Sequence, residues 1–334
     1  MSNRLQRFLV TGGAGFIGSA FIRMGLSKIP ECAQIVNLDL LTYAANLDNL
    51  TEAASDPRYV FVHGDVRDEA LVEMLILKYE IDAIVHFAAE SHVDRSILGP
   101  RAFYETNVGG TLALLEVVRR HPDVHFHQIS TDEVFGSLAE AGSFTEQSAY
   151  QPNSPYSASK AAADHFVRSY AHTYGISTSI SYCTNNYGPY QHVEKLIPYM
   201  IASLTQEKPL PIYGKGDNVR DWIYVDDHVE ALWNILAHKK PGAIYAIGGE
   251  CEKKNLDVVD CIVERFAALN NRSPASFRNL ITHVEDRRGH DLRYAIDCSK
   301  IKREMNWRPK HDFSSGIEKT ISWYLKHPER LVLL

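Results

Sequence analysis

The sequence predicts an α/β fold, a doubly wound parallel sheet with a smaller mixed α/β lobe. Three observations lead there: strand-like runs alternate with helix-length segments, a glycine-rich turn joins the first pair, and the pattern loosens after residue 185. The runs 7–11, 34–38, 59–63, 83–87 and 125–129 read as buried strands, and 177–182 as one more. The segments near 16–28, 68–79 and 101–120 are amphipathic and helix-length, and another helix follows the start signal at Pro155. Such alternation builds βαβ units whose sheet is covered on both faces. Beyond 185, Pro189, Pro198, Pro209 and Pro211 interrupt the pattern. Residues 1–185 are therefore expected to form the first domain and 186–334 the second lobe, with some later chain returning to the sheet.

The bulk numbers exclude several classes. Of the 334 residues, 45% are hydrophobic and 23% charged, as in ordinary globular proteins. No apolar run approaches the ~20 residues that span a bilayer, and the start, MSNRLQRFLVTGG, enters a strand without a signal peptide's apolar stretch. A cytoplasmic location without a membrane partner is expected. A net charge of −6 offers no general footprint for nucleic acid. The five cysteines, Cys32, Cys183, Cys251, Cys261 and Cys298, form no CxxC pair, so neither a metal site nor a disulfide framework is indicated.

The first strand runs directly into Thr11-Gly12-Gly13-Ala14-Gly15-Phe16-Ile17-Gly18. Gly13, Gly15 and Gly18 satisfy GxGxxG, and Gly12, Gly15 and Gly18 satisfy GxxGxxG. Such spacing serves a tight turn, close approach of backbone to a pyrophosphate, and close helix–strand packing, the Rossmann arrangement. The following helix presents free N–H groups and its positive dipole end to phosphate. Asp39, 21 residues beyond Gly18, is placed to accept hydrogen bonds from an adenosine ribose and to repel a 2′-phosphate, so NAD is expected rather than NADP. Asp65 is a candidate for the adenine edge, with a structural loop acid as the alternative.

Tyr156 and Lys160 lie four residues apart, on one face of a helix. The lysine's charge is expected to lower the tyrosine pKa toward neutrality, so that the phenolate takes a proton from a sugar hydroxyl. Thr131, at the end of the fifth strand, is placed to share that proton. Asp132 and Glu133 follow at once. Neighbouring strand residues point to opposite faces, so both carboxyls can serve one site only if the strand ends near Ser130 and 132–136 bends. Mutual repulsion would then raise one carboxyl pKa and separate an acid from a base.

Nine segments in order now support a resemblance: TGGAGFIGS (11–19), HFAAESHVDRSI (86–97), TNVGGT (106–111), STDEVFG (130–136), YSASK (156–160), TNNYGPYQ (184–191), EKLIP (194–198), RDWIYVDDH (220–228) and RRGHDLRYAID (287–297). Over nearly its whole length the chain resembles the extended short-chain dehydrogenase/reductase family, and within it the 4,6-dehydratases of nucleoside-diphosphate hexoses. The resemblance implies C4 oxidation by NAD, loss of water across C5 and C6, and return of the hydride to C6. It makes Glu133 the base at C5 and Asp132 the acid at C6. It implies a cofactor site that includes Phe16, Ile17, Val66, Ala88 and Ala89, with Asn107 supporting the sheet edge beside it. Nucleotide-sugar contacts are implied for Ser91, Asn185, Asn186, Lys195, Leu196, Pro211, Tyr213, Arg220, Asn255, Arg287 and His290. A homodimer is implied, joined through the helices near 101–120 and 156–174. His86 reads as a packed histidine, and Tyr224 as either a pocket wall or a core aromatic.

The chain departs from the family pattern at Phe135, where tyrosine is usual, at Tyr182 and Thr184, and at Cys251. These departures bear on the sugar and base more than on the reaction. dTDP-glucose is the favoured substrate, while UDP-glucose or UDP-N-acetylglucosamine would use the same catalytic residues. A 4-epimerase or decarboxylase would not need Asp132 and Glu133, and an NAD-binding sensor would not need all of Thr131, Asp132, Glu133, Tyr156 and Lys160.

Overall fold

The computed structural model describes residues 5–287 and 289–333; the first residues of the chain and Arg288 of the 287–297 segment lie outside them. Strands β1 (Arg7–Thr11), β2 (Gln34–Asp39), β3 (Tyr59–His63), β4 (Ala83–His86), β5 (His125–Thr131), β6 (Thr178–Cys183) and one later strand form a seven-stranded sheet. Helices α1 (Phe16–Lys28), α2 (Glu69–Tyr79), α3 (Val93–Leu98), α4 (Pro100–Phe103), α5 (Gly110–Arg120) and α6 (Pro155–Tyr174) provide the crossovers. A π-helical turn, Tyr104–Gly109, joins α4 to α5. The remaining elements are β7 (Asn185–Tyr187), α7 (Leu196–Thr205), β8 (Leu210–Tyr213), β9 (Val219–Tyr224), α8 (Val225–His238), β10 (Ala243–Ile247), β11 (Glu252–Lys254), α9 (Asn255–Leu269), α10 (Pro274–Arg278), β12 (Ile281–Val284), α11 (Ser299–Met305) and α12 (Phe313–Lys326).

All seven strands are parallel, in the order β10-β6-β5-β4-β1-β2-β3, the expected doubly wound fold. The strand order reverses between β1 and β4, and a crevice opens there at the carboxyl edge. β5 is buried along its whole length despite two histidines and a glutamine. Serines of β6 and the residue before it make that possible. His125 pairs with the Ser177 and Ser179 hydroxyls at 2.8 Å each, and His127 with Ser179 and Ser181 at 2.7 and 3.1 Å. Burial keeps both rings neutral, with His125 pushed down to about 4.

The chain beyond 185 is shared between two hydrophobic cores. β10 pairs with β6, and α8 packs on α1, so 225–247 and 294–307 join the core of the large sheet. Trp233 stacks on Phe21 at 4.2 Å and donates Nε1–H to its carbonyl. A Cβ on Gly25 would sit 2.5 Å from the indole, so glycine lets α8 approach α1. The β11-β9-β7 and β12-β8 sheets, with α7, α9 and α12, enclose the second core. Buried Asp227 accepts the Lys310 and His311 N–H groups at 3.0 and 2.9 Å and ties the approach to α12 back onto α8. Among the described residues, no helix is long and apolar enough to cross a membrane, and all five cysteines are free.

Candidate active site

A cavity of about 350 Å³ follows the crevice from the glycine turn to the end of β5. Gly12 has φ +69°, and a Cβ there would lie 2.6 Å from the Ala88 nitrogen, so the turn admits only glycine. Gly15 is the N-cap of α1 and supplies no side chain, so the first N–H groups of the helix stay open toward the cavity. Asp39, at the end of β2, accepts from Ala14 N at 2.9 Å and Leu41 N at 2.8 Å. These bonds aim its carboxyl into the cavity and leave it further lone pairs, while burial raises its pKa. Phe16, Ile17, Gly18, Val66, Ala88 and Ala89 line the same wall. The open helix end, the glycine cradle and the acid fit a dinucleotide.

Two expected cofactor residues behave differently. Asp65 lines the cavity, but Arg67 grips it at 2.6 Å and holds its pKa low. Asn107 does not reach the cavity. Its amide spans the Glu90 N–H and carbonyl, at 2.8 and 3.0 Å, and donates to Ser159 Oγ at 2.8 Å. It is thus a support behind the wall, carried on the π-helical turn. His86 is buried with Nδ1 on Thr11 Oγ1 at 2.7 Å, and burial pushes it down to about 3. Tyr224 packs against Tyr187 and His311 as a core aromatic.

At the end of β5 the chain leaves the strand at Thr131 and enters a 3-10 turn, Asp132–Phe135. Thr131 Oγ1 accepts the Glu133 N–H at 3.3 Å, and Gly136 exits at φ +81°, where a Cβ would strike the Gln151 carbonyl. The bend turns Asp132 and Glu133 toward the same cavity wall as Tyr156 and Lys160. Those two come from α6, which starts with Pro155 at its first position and a reciprocal Ser154–Ser157 capping box.

The two carboxyls occupy unlike surroundings. Asp132 is 1% exposed, and its Oδ2 has no hydrogen-bond partner among the described residues. Burial, then Glu133 and Asp221, push its pKa well above the usual carboxyl range. Burial also raises Glu133, but Arg220, Lys195 and Arg287 oppose it. Tyr156 corrects an expectation. Its pKa lies well above the usual phenol value, because burial and the Glu133 charge outweigh the hydrogen bond with Thr131. Lys160, which was expected to lower it, donates Nζ–H to the Ile129 carbonyl at 2.7 Å.

A second cavity, about 690 Å³, meets the first at Ser91, Glu133, Asn185, Glu194 and Lys195. Leu196, Pro211, Tyr213, Arg220, Asn255, Arg287 and His290 line it, while Asn186 lines the first cavity, held by His228 at 2.8 Å. Arg220 lies over the Tyr294 ring at 4.2 Å and donates to Asp291 O at 2.9 Å. Arg287 forks onto Asp94 at 2.6 and 2.8 Å, and Lys195 Nζ donates to Ser91 O at 3.2 Å. Three cations therefore converge where a diphosphate would be received.

A model of the GDP-mannose 4,6-dehydratase family matches residues 9–320. The chain belongs to that family. A relative from Salmonella typhimurium, a dTDP-glucose 4,6-dehydratase, is 49% identical over 97% of this chain and 94% of its own. Another from Xanthomonas campestris is 50% identical, covering 96% and 93%. Of solved structures, DesIV from Streptomyces venezuelae, a dTDP-glucose 4,6-dehydratase with NAD bound, superposes with TM-score 0.91 at 45% identity, covering 97% and 98%. The NAD complex of the Bacillus anthracis dTDP-glucose 4,6-dehydratase gives 0.88 at 44%, covering 97% and 98%.

This 4,6-dehydratase-family chain also holds site residues that went unassigned. Asp94, Glu194 and Tyr294 line the second cavity. Each sits inside a segment that carried the resemblance, but only the packing shows Asp94 countering Arg287 and Tyr294 lying under Arg220.

The buried Asp132 carboxyl has a stability consequence. A folded pKa above the ordinary 3.8 makes ionisation costly in the fold. That cost is absent below the ordinary value and grows as pH rises toward the folded one. Asp132→Asn is therefore expected to raise Tm at neutral pH by about 2 °C or more, with no gain in acid, as read by calorimetry across pH. An unchanged or lowered Tm at neutral pH would contradict the assignment.

Proposed function

We infer that the chain catalyses the NAD-dependent 4,6-dehydration of dTDP-glucose, a hydro-lyase reaction that yields the 4-keto-6-deoxy sugar. The carrying observation is the pair Asp132 and Glu133, adjacent in sequence, turned to one cavity and held in environments that separate their protonation. Bound NAD supplies the acceptor of the C4 hydride and its donor to C6. The glycine turn, the open end of α1 and Asp39 hold it.

The residues of this chain handle protons. Tyr156, once Lys160 and the positive charge that bound NAD would supply offset its burial, removes the O4 proton with Thr131 beside it, leaving a ketone at C4 as the hydride departs. That ketone acidifies C5–H, and Glu133, kept basic by Arg220, Lys195 and Arg287, removes the proton. Asp132, kept protonated by burial, donates to the C6 hydroxyl, which leaves as water. Glu133 and Asp132 thus exchange charge states during elimination. Protonation at C5 from the Glu133 side completes the saturated product. Arg220, Arg287, Lys195 and His290 are assigned to the nucleotide diphosphate. An epimerase has no use for a second, protonated carboxyl next to the base.

Incubation with dTDP-glucose in heavy water, followed by mass spectrometry, should show loss of one water and one solvent deuterium at C5. Glu133→Gln should slow product formation about 10²–10⁴-fold while C4 oxidation, read as reduced nicotinamide absorbance, persists. An isomer of unchanged mass would mean epimerisation, and turnover of UDP-glucose in preference would overturn the base assignment.

We also propose a cytoplasmic homodimer. Tyr104 on the π-helical turn and Phe166 and Tyr174 on α6 are exposed aromatics on the two helices assigned to the contact, 65%, 37% and 49% accessible. Light scattering on purified protein should give twice the chain mass, and Phe166→Glu with Tyr104→Glu should shift it to the monomer. A wild-type monomer would contradict the proposal.

A further inference from the structure

Asp164 lies on α6 one turn beyond Lys160, fully buried, and none of the chemistry above uses it. Its Oδ2 accepts from Ser130 Oγ at 2.5 Å and from Tyr150 OH at 3.4 Å, while Oδ1 has no partner among the described residues. Tyr150 pairs in turn with the Tyr182 hydroxyl, and Tyr182 packs edge-on against Phe135 at 4.8 Å. Two positions where the chain departs from the family pattern thus close the far side of one buried network. An unpaired buried carboxylate is costly unless an opposite charge faces it.

We propose that Asp164 is a positioning residue for the reaction, the buried counter-charge that keeps Lys160 an ammonium while its bond to Ser130 holds the end of β5. The charge environment agrees. Burial lowers the Lys160 pKa, and Asp164 is the largest influence raising it again. Burial raises Asp164 to about 6, and Lys160 is the largest influence opposing that. The other groups facing the pair stay neutral around them. His86 of β4 is pushed down to about 3, Cys183 of β6 up to about 12, and Tyr150 and Tyr182 well above the usual phenol value. Ser130 and Gln128 of β5 do not titrate, and Arg168, a turn further along α6, acts on the two tyrosines. Each group thus favours the charged form of the other across one turn of α6. The bond to Ser130 adds a geometric role, because the next three residues are Thr131, Asp132 and Glu133.

The role of the pair rests on the dehydratase reading, but the charge itself is measurable without substrate. With lysine labelled at Cε and Lys160 assigned through Lys160→Met, NMR titration of the holoenzyme reads the ammonium directly. In Asp164→Asn its titration should fall by about one pH unit, and the alkaline limb of the kcat profile for dTDP-glucose should move down with it while KM stays within about twofold. Tyr150→Phe removes one hydrogen bond from the carboxylate and keeps its charge. It should raise the acid limb and leave the alkaline limb in place, which a merely structural role would not do. An unmoved Lys160 titration in Asp164→Asn, or an unmoved acid limb in Tyr150→Phe, overturns the proposal. A moved titration in an enzyme that does not turn over dTDP-glucose would instead sink the substrate reading and leave the Asp164 counter-charge standing.

Discussion

The Thr131 hydroxyl, accepting the Glu133 N–H as β5 ends, is the constraint on which the site depends. An extended chain would send Asp132 and Glu133 to opposite faces of the sheet. The 3-10 turn stacks them on one side, and Gly136, in the left-handed region, lets the chain depart without striking Gln151. The turn is braced from behind, since Gln151 N–H bonds the Val134 carbonyl at 3.0 Å and Ser130 is tied to Asp164 on α6. The strand fixes Thr131, the helix fixes Tyr156 and Lys160, and the turn brings the carboxyls to both.

Electrostatics then divides the labour. Burial is the largest cause of the pKa shift in each of Asp132, Glu133, Tyr156 and Lys160, and what differs is the charge each one faces. Glu133 faces three cations from the second lobe, whereas Asp132 faces Glu133 and Asp221. The same arginines and lysine that would receive a diphosphate therefore oppose the rise that burial gives Glu133. In the proposed reaction one cluster of positive charge would couple substrate recognition to the acid–base assignment, with Arg287 restrained in it by Asp94.

Much of this was legible in the sequence, for identifiable reasons. Strand and helix periods in the first half reflect burial of local segments, so β1 to β6 fall close to the runs that predict them. The bend after β5 followed from the pleat of a strand, because two adjacent carboxyls cannot share a site on one. Burial and long-range contact were not legible. Trp233 stacks on Phe21 from 212 residues away, a pairing no local pattern encodes. Tyr156 looked like a phenol eased toward ionisation by Lys160, yet its burial and the Glu133 charge prevail. Asn107 was legible as a support beside the cofactor wall, but not the partners its amide takes there, Glu90 and Ser159. Asp164 carried no signal at all, since an acid one turn past a lysine is commonplace on exposed helices.

The claim that most needs a direct reading is that Asp132 is protonated and Glu133 ionised in the resting enzyme. Infrared difference spectra at neutral pH, wild type against Asp132→Asn and against Glu133→Gln, read both states. The first spectrum should lose a protonated carboxylic C=O band and the second a carboxylate band. Loss of a carboxylate band in both, or the two bands exchanged, would contradict that claim.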